Sequence, residues 1–145
     1  MTTGPITVDQ MYLTFSEDDG TTYTAVACQT DGQYNPTIDT IEQDCKDTAG
    51  GASYIKGKTR WGMSGSADFA FDSAYGYKQL HDKMVTGDAK VKVRITTGSS
   101  ETGDFFIEGD ALLTGAPLSS AGGSNALVTY SYELLGIGIP ALTVI

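Results

Sequence analysis

Between Thr59 and Phe71 the chain alternates strictly, with Trp61, Met63, Gly65, Ala67, Phe69 and Phe71 opposing Arg60, Gly62, Ser64, Ser66, Asp68 and Ala70. A period of two held this long predicts a strand with one core face and one polar face. The pattern returns at 89–95, where Ala89, Val91, Val93 and Ile95 point inward and Lys90, Lys92 and Arg94 outward. At 103–114, Phe105, Ile107, Ala111 and Leu113 oppose Phe106, Glu108, Asp110 and Leu112; at 127–135, Val128, Tyr130, Tyr132 and Leu134 face away from Glu133. At 6–15 the phase slips, from Ile6 and Val8 to Met11, Leu13 and Phe15, which predicts a bulge or a strand apolar on both faces. Asp19-Gly20 signals a hairpin turn into a strand over 22–28 carrying Tyr23, Ala25 and Ala27 on one face.

The period changes once. Over 73–86, Tyr77, Leu80 and Met84 fall on a helical stripe, with Asp72 as the N-cap and Gly87 as the stop. Strands, one helix, then more strands predict a mainly β fold. The expectation is an antiparallel β-sandwich or half-barrel with one flanking helix, in a single domain over 1–145. Several runs exceed the usual strand of about five or six residues, so the sheets are large.

Two segments break the pattern. Residues 29–58, with Asn35-Pro36, Gly50-Gly51 and scattered acids, read as a long loop with a weak strand near 38–43. A loop this long inside a compact domain is functional or disordered rather than filler. Residues 136–145 (GIGIPALTVI) are uncharged and mostly apolar, an aggregation hazard unless this domain or a neighbour covers them.

Charge sharpens the picture. All nine Lys and Arg lie between Lys46 and Arg94; residues 1–45 hold eight acids and no base, and 95–145 hold five acids and no base. The total of −9 is therefore segregated, which suits docking between copies of the chain and would repel nucleic-acid phosphates. No stretch is apolar enough for a membrane span and the N-terminus lacks the features of a secretion signal, so the chain is expected to be soluble, made in the cytoplasm and not inserted in a membrane.

Candidate chemistry is sparse. Cys28 and Cys45 read as reduced, partly buried residues, or as a disulfide if the protein ends outside a cell; two thiols alone do not close a metal shell. His81 is a lone helical histidine, Ser64-Gly65-Ser66 sits mid-strand rather than at a nucleophile turn, and Glu17-Asp18-Asp19-Gly20 lacks the spacing of a calcium loop. Lys90, Lys92 and Arg94 read as a solvated face. No cofactor, metal or catalytic residue is expected.

From Lys58-Thr59-Arg60-Trp61-Gly62-Met63-Ser64-Gly65-Ser66 onward, the chain resembles the major tail tube proteins of long-tailed (siphovirus-type) bacteriophages. The supporting order spans most of the chain. Cys28 closes an early strand, and Asp39-Thr40-Ile41-Glu42-Gln43-Asp44 leads to Lys46-Asp47. After the Trp61 strand come Phe71-Asp72-Ser73-Ala74 at the helix, the Gly87 turn, the Lys90/Lys92 strand, Phe106-Ile107-Glu108-Gly109-Asp110-Ala111-Leu112-Leu113, and Tyr130-Ser131-Tyr132-Glu133-Leu134-Leu135-Gly136-Ile137-Gly138. The apolar end beyond Gly138 is longer than the family pattern.

The resemblance implies a structural virion protein of the tail, assembled in the host cytoplasm. Its copies would pair edge to edge into hexameric rings that stack head-to-tail into a conduit for DNA ejection. It implies a long loop, 29–58, bridging rings through Tyr34, Pro36, Ile38, Asp39, Ile41, Glu42, Asp44 and Lys46. It also implies partners: the tape-measure protein, a tail terminator and distal tail proteins, with DNA passing unbound. A ring of ~24 strands spaced ~4.8 Å and tilted ~40° has a backbone diameter of ~48 Å and a bore of roughly 35–40 Å. An acidic bore lets DNA slide rather than stick.

Asp68, Glu108 and Asp110, on polar strand faces, are the candidates for lining that bore. Ile137, Ile139, Leu142, Val144 and Ile145 are the candidates for contact through the C-terminus, and Trp61 and Asp72 are structural. Two alternatives stay open: a tube protein of a contractile injection or type VI secretion machine, and a monomeric β-sandwich binding module. An enzyme is the least supported class.

Overall fold

The computed structural model describes residues 3–7, 10–16, 20–26, 29–43, 50–71 and 75–145. Among these, one antiparallel sheet carries β1 (Tyr12–Ser16), β2 (Thr24–Ala25), β3 (Gln29–Gln43), β4 (Ser53–Asp68), β5 (Lys90–Thr96), β6 (Phe105–Gly115), β7 (Leu118–Ser119) and β8 (Thr129–Val144), with one helix, α1 (Tyr77–Val85). The strand order is β2-β1-β5-β6-β8-β4-β3, and β7 adds to β8.

The sheet rolls without closing. In sheet order β1 and β3 are five places apart, about 24 Å in a flat sheet. Instead, the Leu13 N–H donates to Gln29 Oε1 at 2.9 Å. Phe15 on β1 meets Tyr132 on β8 edge-on across the interior, with ring centroids 5.5 Å apart. A side chain, not a backbone ladder, bridges the seam, and the mainly β half-barrel with one flanking helix is the observed architecture.

The core follows the alternation. Trp61, Met63 and Ala67 of β4, Val91, Val93 and Ile95 of β5, Ala111 and Leu113 of β6, and Tyr130, Tyr132 and Leu134 of β8 are buried with Leu13 and Phe15. Tyr132 needs Gly65 directly opposite it: a methyl there would overlap the phenol, which instead accepts from the Gln29 side-chain amide. Leu80 of α1 is fully buried and Tyr77 and Met84 pack beside it, so the helical stripe is as read.

Several boundaries differ from the sequence reading. The helix begins at Tyr77 with Gly76 as its N-cap, whose N–H donates to Gln79 Oε1 at 2.9 Å. Asp72 lies outside the described residues and four positions too early to cap it. The stop is close to that predicted, with the Thr86 and Gly87 N–H groups both donating to the Asp82 carbonyl at 3.0 Å. β4 ends at Asp68, so Phe71 is 96% exposed rather than in the core. Before β1 the Gln10 N–H bonds the Thr7 carbonyl, Thr7 N–H bonds Gln10 Oε1, and Ile6 and Met11 are exposed, while Val8 lies outside the described residues. Of the strand predicted over 22–28, the described residues form a strand at Thr24–Ala25, and Ala27 and Cys28 lie outside the described residues.

The largest correction concerns 29–58. Its described residues include β3 and the first part of β4, a two-stranded arm running Gln29↔Ala67 to Gln43↔Ser53 with register shifts between Gln29/Asp31 and Ile38/Thr40. Asp44, Cys45 and Lys46, with Cys28, lie outside the described residues. The tail is likewise a strand: β8 continues to Val144, and Ile107↔Leu142 and Phe105↔Val144 pair it to β6.

Candidate assembly surfaces

β8 pairs briefly with β7 at Thr129 and Tyr130 and at length with two other strands. From Thr129 to Leu135 it pairs with β4, and from Glu133 to Val144 with β6. At Gly136 it leaves β4, and five residues of β8 (Ile137 to Ala141) lie against three of β6 (Asp110 to Glu108). Trp61 sits at this fork. Its indole lies on Gly136 and Gly109, where a methyl at Gly109 would come within 2.6 Å of Cζ2, and its Nε1–H donates to the Gly138 carbonyl at 3.2 Å. Trp61 is 2% exposed.

Beyond the fork the two strands have no common neighbour. Among the described residues, 53–61 of β4 pair only with β3, and 136–144 of β8 only with β6. A cleft between them is lined by Lys56, Arg60, Trp61, Leu135 and Ile139. Among the described residues β3 is an edge along its whole length, as is β2. Pro36, which cannot donate to a ladder, is tolerated because β3 is an edge strand.

The arm and the C-terminal strand are apolar where the chain leaves them uncovered. Ile38, Ile41, Tyr54 and Ile55 are about half exposed, and Ile41 stands directly across from Ile55. Asp39 makes an exposed ion pair with Arg60 at 3.1 Å, and Glu42 is opposite Tyr54. Tyr34 and Pro36 belong to the arm's root: Tyr34 packs on the core beside Trp61, and Pro36 is its backbone partner. At the other end Ile137, Leu142 and Val144 are roughly half exposed and Ile139 is 82% exposed, while the Ile145 N–H is held by the Asp104 carbonyl at 2.7 Å.

Two outward polar surfaces differ in charge. On β5 and β6, Lys92 bonds Asp110 at 2.9 Å and Arg94 bonds Glu108 at 2.8 Å, across register pairs of the ladder. Arg94 is clamped between the Tyr23 ring (4.0 Å) and the Phe106 ring (4.1 Å). Burial first, and the Glu108 carboxylate second, raise the Tyr23 phenol above its ordinary pKa.

On β3, β4 and β8 the outward residues are Asp31, Gln33 and Asn35, Gly62, Ser64, Ser66 and Asp68, and Thr129, Ser131 and Glu133. Of the three candidates for the bore, Glu108 and Asp110 are brought together and Asp68 is not. Its strand is two places from β6 in the rolled sheet, with β8 between them. Sequence reading placed all three on polar faces but could not see the roll that separates them.

Unpaired strand edges, half-exposed aliphatics concentrated on them, and a rigid pin at the fork define a structural subunit that completes itself by association. Among the described residues no group of three or more His, Cys, Asp or Glu is placed to hold a metal ion, and no helix is long and apolar enough to cross a membrane.

Comparison with known proteins agrees. The chain belongs to the phage tail tube protein family, whose model matches residues 7–141. It is thus a structural component of the virion tail that self-assembles into a tube, and not an enzyme.

Among solved structures it is similar to a chain from the tail of an empty gene transfer agent particle (TM-score 0.78, 13% identity, 96% of this chain and 99% of that one). It is also similar to the SPP1 tail tube protein (TM-score 0.71, 16% identity, 97% and 80%). A chain of the anti-feeding prophage baseplate is comparably close (TM-score 0.72, 11% identity, 99% and 97%). Comparison with curated protein sequences gives no match.

Proposed function

We propose that six copies of this chain close into a ring by strand-edge pairing, that rings stack head-to-tail, and that the resulting bore conducts DNA into the host. The observation that carries this is the set of unpaired edges at β3, β4 and β8, each beside half-exposed aliphatics. The gene transfer agent tail, whose chain has a similar fold, has six-fold symmetry. An overall charge of −9 gives the bore a wall that does not retain phosphates.

In this reading the β3–β4 arm from Ile38 outward, with Asp39, Ile41 and Glu42, reaches the next ring, and Asp44 and Lys46 extend that contact by their place in the chain. The strand end bearing Ile137, Ile139, Leu142 and Val144 is covered by a neighbouring copy. The tape-measure protein occupies the bore before DNA, and a terminator and distal tail proteins cap the two ends.

Replacing Ile41 and Ile55 together by Asp tests the arm. Single rings that no longer stack, seen by negative-stain microscopy, are the expected result, and tubes of ordinary length would contradict it.

A second reading is favoured by the likeness to the anti-feeding prophage chains: a tube inside a contractile machine that passes protein. It predicts that assembled tubes co-sediment with a sheath protein, whereas a long-tailed phage tube needs none.

A further inference from the structure

We infer that the bore wall is the outward surface of β3, β4 and the first half of β8, with Asp31, Asp68 and Glu133 supplying its charge, and that the Lys92–Asp110 and Arg94–Glu108 ladder faces elsewhere. This rests on the tube reading above and deepens it by choosing between two surfaces that the rolled sheet turns apart.

A conduit for a polyanion needs a wall with nothing for a phosphate to grip. Between Gly62 and Asp68 the outward β4 positions and their partners on β3 and β8 carry three carboxylates, Asp31, Asp68 and Glu133, and otherwise small or uncharged polar residues, with Leu135 opposite Gly62 at the border. No Lys or Arg stands among them, and Arg60, the next position on this face, is paired with Asp39 at 3.1 Å. Three carboxylates on this patch repeat around a ring and along a stack, while the Gly, Ser and Thr positions keep the surface low.

The β5–β6 surface is built differently. Lys90, Lys92 and Arg94 stand in a row, and although Asp110 and Glu108 neutralise two of them, a phosphate competes for the same cations with release of its own counterions. Lining the bore with that row would retard the strand it must pass.

The border between the two surfaces is apolar. Leu112 and Leu135 are register partners on the same outward side, with Leu135 more than half exposed and Ile137 following it. An exposed aliphatic strip at the rim of an acidic lane fits the line along which a second copy of this chain closes the wall. The free edges beside it, at residues 53–61 and 136–144, are where that copy would add strands.

The test uses tubes assembled from the full chain carrying Ser64→Cys, Ser131→Cys or Lys92→Cys. Modification of the introduced cysteine is followed by peptide mass mapping with a small maleimide and with a maleimide on a polymer too large to enter the bore. Both reagents should modify every variant before assembly.

After assembly, Ser64→Cys and Ser131→Cys should still react with the small reagent, while their reaction with the large one falls by at least an order of magnitude. Lys92→Cys should not show that combination. It should be open to both reagents if it faces outside, or closed to both if it lies between subunits.

A bore signature at Lys92→Cys, or its absence at both serines, overturns the assignment. Failure of the parent chain to form tubes under microscopy would instead refute the tube reading beneath it, so the two failures are distinguishable.

Discussion

Gly136→Ala adds one methyl group where the structure has no room for it. The indole of Trp61 covers Gly136, and Trp61 is buried between Gly136, Gly109 and the β8 crossing. The methyl would land on the indole itself, so either the ring or β8 must move. Moving the ring breaks the Nε1–H bond to the Gly138 carbonyl. Overpacking of a filled core costs about 1–3 kcal/mol, and the lost hydrogen bond about 1 kcal/mol more.

The sum, about 2–4 kcal/mol, is a large part of the ~5–15 kcal/mol that stabilises a domain. At this chain length each kcal/mol lowers Tm by roughly 3–4 °C, so the melt should move down by about 6–15 °C. The assay is thermal unfolding of unassembled protein followed by circular dichroism, with tube formation scored by microscopy. A double-mutant cycle isolates the cause: in a Trp61→Leu background the methyl meets no indole, and Gly136→Ala should cost little. A Gly136→Ala protein melting within a degree or two of the parent, or an equal cost in both backgrounds, would refute this account of the fork.

Arg94→Ala should destabilise by about 1–3 kcal/mol in urea titrations, because two aromatic contacts of about 0.5–1 kcal/mol each and a part-exposed ion pair of at most ~1 kcal/mol are lost together; no change would show the clamp to be ornamental. Tyr132 titrates with a sign that can be worked out. Burial holds its phenol well above the ordinary value, so the folded state keeps the proton after the unfolded chain releases it. The stabilisation is complete below about pH 10 and falls by ~1.4 kcal/mol per unit above it. Tyr132→Phe should make stability less steep between pH 10 and 11, and an unchanged slope would contradict the assignment. Ile139→Asp with Leu142→Asp should leave the monomer's melt almost unmoved, since both side chains are exposed, while abolishing assembly in size-exclusion chromatography; a large fall in Tm would mean the C-terminal strand is part of the core.

What could be read in advance, and what could not, follows from where apolar residues are buried. β4, β5 and the first half of β8 press one face on the core, so their alternation is plain in the residues. β3 has no such face. Apart from Gln29, Tyr34 and Asp39 it is exposed along its length, and Pro36 and Gly32 sit where only an edge strand tolerates them. A strand held by its partner's backbone rather than by burial leaves no hydrophobic period, and so it resembled a loop.

The C-terminal half of β8 failed as a strand signal for a related reason. Gly138 has a positive φ of 72° and, with Pro140, lies in the irregular stretch where β8 bulges against β6 just past the end of its pairing with β4. The helix start was misplaced because Asp72 is a good capping residue, yet the turn closes at Gly76 through Gln79. The polar faces carrying Asp68, Glu108 and Asp110 were correctly read strand by strand, since alternation reports only inside against outside. Which outside a residue occupies depends on the rolling of the sheet, and that is set by contacts such as Leu13 with Gln29 and Phe15 with Tyr132.

A cryo-microscopy reconstruction of the purified, assembled protein tests the central claim most directly. The account predicts a hollow tube of stacked six-membered rings whose strands are continuous across subunits, with Asp31, Asp68 and Glu133 on the inner wall. A particle that stays monomeric at every concentration, or a tube whose inner wall carries Lys90, Lys92 and Arg94, would contradict it.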